Sequence, residues 1–251
     1  MARRKLSETT HPDQSLDENY WLKYGSDPQP SMRLKILFVT FDAIAEAGPG
    51  SFNVSSVCDR LGITYPMVNH YFGGRDSLIA EAAHMIYARY VDRLWAAVQA
   101  APRDARERLK AWILAQIHET KELGGWGAIL NYPLAAKEVS AEISANFRKE
   151  MARGFELNLA RLAMLILDIR RGKISDSDFT NAGVPRAQML ADPELQALLP
   201  LVGWSVIGAS VWMAGRHLPS SGVIEELEAF DINNSVESLL EGLIRLVETH
   251  P

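Results

Sequence analysis

The chain has 251 residues, 47% of them hydrophobic, so it can build a packed core and is not a disordered polymer. Its single cysteine, Cys58, excludes an intrachain disulfide, and no run of eighteen apolar residues offers a membrane span. The net charge of −5 speaks against a nucleic-acid binder, but it is unevenly spread: residues 31–99 carry six basic and six acidic side chains, whereas residues 100–251 carry sixteen basic and twenty acidic.

The start, Met1-Ala2-Arg3-Arg4-Lys5, is basic but no apolar stretch follows it. It does not read as a secretory signal, and a cytoplasmic location is expected. Residues 1–30 are polar, contain Pro12, Pro28 and Pro30, and show no helical period. They read as a flexible arm in which Arg3, Arg4 and Lys5 are available to a phosphate or a minor groove. Order begins near Ser31, a fair N-cap. Leu34, Leu37, Phe38, Phe41, Ile44 and Ala45 then form a helical stripe, which Gly48, Pro49 and Gly50 end. Asn53 caps a second short helix holding Val54, Val57, Cys58 and Leu61, and Gly62 closes it. Thr64 caps a third, from Tyr65 to Tyr71, before the break at Gly73-Gly74. A long helix follows from about Asp76 to Gln99, with Leu78, Ile79, Ala82, Ile86, Tyr90, Leu94 and Trp95 on its buried side.

Beyond Pro102 the pattern stays helical. Segments are expected at about 104–123, briefly from Trp126, over roughly 134–171, and from Asp192 to about His217. The stretch 172–192 is polar and reads as a loop or lid. The last helix carries Val236, Leu239, Leu240, Leu243, Ile244 and Val247 on a single face. Nothing alternates as a strand would. The fold is therefore all-α: an arm (1–30), a three-helix helix-turn-helix domain (31–75), and a long helix leading into a C-terminal helical domain (76–251).

The segment from Asn53 to Leu78 carries the function. A tight turn between two short helices needs a residue tolerant of positive φ, and Gly62 supplies it. Val57, Leu61, Ile63, Val68 and Phe72 are spaced to pack the pair onto the first helix. Tyr65, Pro66, Met67, Asn69, His70 and Tyr71 are left facing outward. They offer hydrogen bonds, aromatic surface and few charges, which suits a helix addressing base edges in a major groove. Pro66 is tolerated because it lies in the first helical turn.

These residues resemble the DNA-binding domain of the tetracycline-repressor (TetR) family. The matching pattern is Ala47-Gly48, Asn53-Val54-x-x-Val57, Leu61-Gly62-Ile63-Thr64, Val68, Tyr71-Phe72 and Gly74-Arg75-Asp76-x-Leu78. The resemblance implies that Tyr65, Pro66, Met67 and Asn69 face bases, that Ser55 also reaches the groove, and that Asn53, Thr64, His70, Tyr71 and Arg75 contact phosphates. Asn69, Tyr71 and Arg75 depart from the residues common in the family, so an operator sequence cannot be borrowed.

The resemblance further implies a transcriptional repressor that binds double-stranded operator DNA, is released by a small-molecule effector, and dimerises through its last two helices. The residues fit dimerisation: Leu195, Leu198, Leu199, Val202, Val206, Ala209 and Met213, with the Val236–Val247 stripe, make two adjacent apolar helices suited to a four-helix interface. For an effector pocket, Trp112, Trp126, Phe147, Met151, Phe155 and Met164 are candidates, with Trp204 and Trp212 opposite. No catalytic residue, metal site or cofactor is expected. Glu81-x-x-His84 lacks the second such pair a di-iron bundle needs, and Asp176-Ser177-Asp178 lacks the rest of a calcium loop. The rival readings are a DNA-binding regulator without an effector, and a helical small-molecule-binding protein or enzyme with a vestigial helix-turn-helix.

Overall fold

The computed structural model describes residues 16–124, 126, 137–174, 183–215 and 232–250. Every regular element among them is an α-helix: α1 Glu18–Leu22, α2 Met32–Ser51, α3 Val54–Leu61, α4 Tyr65–Phe72, α5 Arg75–Ala100, α6 Ala105–Leu123, α7 Lys137–Asn146, α8 Arg148–Arg171, α9 Arg186–Ala191, α10 Pro193–Gly215 and α11 Ile232–Thr249. Local chemistry sets the ends. Ser31, Asn53, Asp104 and Asp192 each turn a side-chain oxygen to a backbone N–H of the following turn. Within α2, Gly48 takes φ 74°, so the helix breaks at the residue the sequence marked.

The chain forms two compact units. One comprises Met1–Ile86 and Ala128–Phe147, the other Tyr87–Gly127 and Arg148–Pro251. The division cuts α5 between Ile86 and Tyr87, where the sequence placed a boundary at 75/76. The reason is packing: Leu78, Ile79, Ala82 and Ala83 on the first turns of α5 are fully buried, as are Ile36, Leu37, Val39 and Ile44 of α2.

Three expectations are corrected. First, the described part of the arm is structured. Asp17 caps α1, and Trp21 is buried with the Lys35 ammonium 5.3 Å from its ring centre. Tyr24 stacks on Phe38 at 4.6 Å, and its hydroxyl donates to Asp42, which Lys23 also reaches at 3.0 Å. Three aromatic residues in five positions gave no helical period but enough apolar area to fold the segment back. Arg3, Arg4 and Lys5 lie outside the described residues. Second, the long segment near 134–171 is two helices. Phe147 interrupts it, and α7 belongs to the first unit, where Ser77 donates to Glu142 at 3.1 Å. Third, the stretch 172–192 contains α9. Ahead of it, Val184 N–H donates to the Ala160 carbonyl at 2.9 Å, and a Cβ on Gly183 would stand 2.8 Å from that of Ala160.

In the second unit α6 lies against α8, α10 and α11. Arg170 of α8 fastens two partners. Its guanidinium meets Glu194 at 2.7 Å and donates to the Glu248 carbonyl at 2.9 Å, near the end of α11. Of the apolar residues assigned to a dimer interface, Leu199, Ala209, Val236 and Leu239 are half-buried, the side chain of Met213 lies outside the described residues, and the others are covered within the chain. Leu195, Leu198, Val202 and Val206 are fully buried, and Leu240, Leu243, Ile244 and Val247 are buried with them. An apolar stripe marks a covered face without saying which chain covers it.

Because Trp21 is 5% exposed, Trp21→Ala should destabilise the protein by about 3–5 kcal/mol. A denaturant titration checks this; a flexible arm would give no change.

Candidate nucleic-acid interface

Helices α3 and α4 are eight residues each and held by what they bury. Val54, Val57 and Cys58 anchor α3, and Val68 and Phe72 anchor α4. Between them Gly62 adopts φ 64° and ψ 32°, and Ile63 N–H donates to the Cys58 carbonyl at 3.0 Å, so the chain reverses in a left-handed cap. Gly73 repeats the device after α4 at φ 78°, donating to the Asn69 carbonyl at 2.8 Å. Leu61 and Ile63, expected in the packed set, are only half-buried at the turn.

What remains outside is the surface the sequence singled out. Tyr65 is 52% exposed, Met67 39% and Tyr71 37%, and Pro66, Asn69 and His70 are exposed beside them. Asn53, Ser55 and Thr64 are exposed at the starts of α3 and α4. The Asn53 carbonyl oxygen accepts from Ser55 N–H at 2.9 Å, which commits that oxygen to the cap and leaves the amide group to donate. Thr64 makes no side-chain cap bond, so its hydroxyl is uncommitted at the N-terminus of α4. The His70 and Tyr71 rings meet edge to face at 5.4 Å.

Arg75 is more constrained than the sequence suggested. Its guanidinium donates to Asp76 at 2.7 Å and to the Phe52 carbonyl at 3.5 Å, and lies 5.8 Å from the Phe52 ring centre. It remains half-exposed beside the first turn of α5. Sequence reasoning missed Arg33. Its guanidinium sits 5.0 Å from the centre of the Phe72 ring and donates to Glu81 at 2.6 Å, which places a second exposed cation at the end of α4. The two residues are 39 positions apart, so no local pattern could have announced the pairing. Glu81 and His84, the partial di-iron signature, have structural partners: Glu81 holds Arg33, and His84 stacks on Phe147 at 4.8 Å. No group of three metal-ligating side chains occurs among the described residues, and Asp176 and Asp178 lie outside them.

No protein-family profile matches the chain. A BetI HTH-type transcriptional regulator of Burkholderia ambifaria is 35% identical over 94 residues, covering 36% of this chain and 46% of that protein. BetI of Burkholderia cenocepacia is 29% identical over 147 residues, covering 52% and 73%. The chain thus spans about half the length of the first of these relatives. Among solved structures, the regulator FadR from Bacillus subtilis in complex with stearoyl-CoA superposes with a TM-score of 0.54 at 14% identity, over 84% of this chain and 97% of that one. A TetR/AcrR-family transcriptional regulator from Thermobifida fusca superposes at 0.52 with 17% identity, over 84% and 96%. The chain is thus similar in part of its sequence to BetI HTH-type regulators, and its fold is that of solved TetR/AcrR-family regulators.

The candidate effector residues of this chain are dispersed. Trp112, Trp126 and Met164 are buried in the C-terminal unit, where Met151 is half-buried. Phe147 belongs to the first unit, against His84. Phe155 is 56% exposed and Trp204 72% exposed on the outer faces of α8 and α10. The side chain of Trp212 lies outside the described residues. Among the described residues no helix is long and apolar enough to cross a membrane.

Cys58 packs beneath α3, and burial, with Asp59 adding to it, pushes its thiol up. A thiol-reactive disulfide reagent should therefore leave the native protein nearly unlabelled at neutral pH and label one equivalent after unfolding. Rapid labelling of the folded protein would contradict that packing.

Proposed function

We propose that this chain is a sequence-specific DNA-binding transcriptional regulator that works as a homodimer and is released from its operator by a small molecule. One observation carries the reading. Six consecutive or near-consecutive side chains of α4, from Tyr65 to Tyr71, are presented outward on a helix whose only buried residues are Val68 and Phe72. Such a face has no role in the fold. Its chemistry suits direct readout: Asn69 can pair bidentately with adenine, and Tyr65, Pro66 and Met67 offer apolar contact to thymine methyl groups. Asn53, Thr64, His70, Tyr71 and Arg75 surround it with phosphate donors, and Ser55 stands close enough on α3 to reach the groove. The similarity to BetI transcriptional regulators supports the same reading, and the stearoyl-CoA held by the fold neighbour FadR supports an effector in the C-terminal unit. As a regulator the chain would work in the cytoplasm.

For self-association the outer face of α10 replaces the stripes assigned from sequence. Leu201 and Trp204 are exposed at 44% and 72%, and Gly208 on the same face has open space where a side chain would stand. An exposed tryptophan beside a leucine and a glycine is a poor surface for a monomer and a good one for close helix contact with a second copy. A dimer presents two α4 helices, and a ligand that favours the wrong spacing of the two releases DNA by population shift.

Selection from a pool of genomic fragments should recover a palindromic site bound with steep salt dependence. Asn69→Ala should cost about 1–3 kcal/mol at one base position and relax specificity there, while Arg75→Ala should weaken all sequences and reduce the salt slope by about 1. No enrichment by ligand-stripped protein would sink the reading. Separately, Trp204→Glu should convert a dimer to a folded monomer in sedimentation velocity, with unchanged helical content.

A further inference from the structure

Of the residues of α4 only Val68 and Phe72 are buried. They stand four positions apart on one side of the helix, so together they set its rotation about its own axis. Phe72 is the last residue of α4 and the less covered of the two, 8% exposed against 1% for Val68. A slip of the Phe72 ring swings Tyr65, Met67 and Asn69 with it. Hydrogen bonding to base edges tolerates little of that, because a binding constellation must be held to within about 0.5 Å.

What holds the ring comes from two other helices. The Arg33 guanidinium, in the first turn of α2, lies 5.0 Å from the centre of the Phe72 ring. Glu81 of α5 grips it at two points: Nη2 donates to Oε2 at 2.6 Å, and Nη1 meets Oε1. Such a grip fixes the plane of the guanidinium as well as its position. Glu81 itself stands on firm backbone. Leu78, Ile79, Ala82 and Ala83 around it are fully buried, and Ser77, one turn earlier, donates to Glu142 of α7 at 3.1 Å. All of these residues belong to the first compact unit.

Stability does not account for the arrangement. The Arg33 side chain is 44% exposed, and an ion pair so open to water adds little to folding. A phosphate contact does not account for it either. The fork that would grasp a phosphate is occupied by a carboxylate, and the pair as a whole offers DNA no net charge. What the pair supplies is orientation: a flat cation laid on one ring and locked in its plane.

We propose that Arg33 is a positioning residue for DNA reading: gripped by Glu81, it holds the Phe72 ring, and with it the rotational setting of α4, and does not itself contact a phosphate. Specificity then depends on Glu81, an acidic residue that DNA would repel. This inference rests on the DNA-reading face proposed above and adds the residues that aim it.

The test uses the full chain and two DNAs, the site selected from genomic fragments and an unrelated duplex of the same length. The ratio of the two affinities is read together with the salt slope. Glu81→Gln keeps the shape of the side chain and removes its charge. By charge alone it would tighten both DNAs and leave the ratio as it was. A positioning role lowers the ratio about tenfold, the size of one lost base contact. Arg33→Met should lower the ratio equally with the salt slope unchanged. The double variant should be no worse than either single one, because both break the same device. Amide hydrogen exchange of Tyr65–Phe72, measured without DNA, should be faster in both variants, with α6 and α8 unaffected. Glu81→Gln decides alone if Arg33→Met fails to fold. A ratio unchanged by Glu81→Gln, a salt slope lowered by about one in Arg33→Met with the ratio kept, additive losses, or unaltered exchange in α4 overturns the proposal. Faster exchange in α4 of variants whose parent selects no DNA site supports the brace and sinks the DNA reading.

Discussion

Helix α4 is eight residues long, and a helix of that length does not hold its shape alone in water. Val68 and Phe72, one turn apart, fasten it to the first unit by a single edge. Left-handed glycine caps at Gly62 and Gly73 fix where it begins and ends. That economy leaves most of the helix surface unclaimed by the fold, and the exposed side chains from Tyr65 to Tyr71 are the result. Arg33 braces the same edge from the far side, its guanidinium over the Phe72 ring and its charge held by Glu81 of α5. The first turns of α5 are thereby part of the same compact unit, whose boundary falls after Ile86.

The same logic runs through the N-terminal segment. Trp21 packs against Lys35, Tyr24 stacks on Phe38, and Tyr24 and Lys23 share an anchor at Asp42, so the segment is attached to α2. Burial first, and then Asp42, pushes the Tyr20 hydroxyl up; burial, then its hydrogen bond to Asp42, does the same for Tyr24. Both stay protonated donors across the whole physiological range. An acidic residue on α2 thus collects donors from a segment that sequence alone reads as tail.

The second unit is built differently. Its core is not purely apolar: Arg108, Gln116, Thr120, Arg161 and Asp168 are buried among tryptophan, leucine and isoleucine. A core meant only to stabilise would do as well or better with apolar residues of the same volume.

Helix type, most boundaries and the helix-turn-helix were legible in the sequence because they are set locally. Gly62 and Gly73 need positive φ, Asn53 and Asp104 cap the residues that follow them, and periodicity of 3.6 shows which side of each helix is covered. The outward face of α4 was readable for the same reason: once Val68 and Phe72 are inside, the rest of a short helix is outside. Tertiary structure decided what lay beyond the reach of local chemistry. It buried Leu195, Leu198, Val202 and Val206 of α10 and Leu240, Leu243, Ile244 and Val247 of α11 within the chain, because a hydrophobic face is satisfied by any apolar partner and the sequence does not say which. It tied Arg75 to Asp76 and Phe52, brought Arg33 to Phe72, and folded Trp21 inward, because whether a side chain finds its partner depends on atoms that only folding brings together.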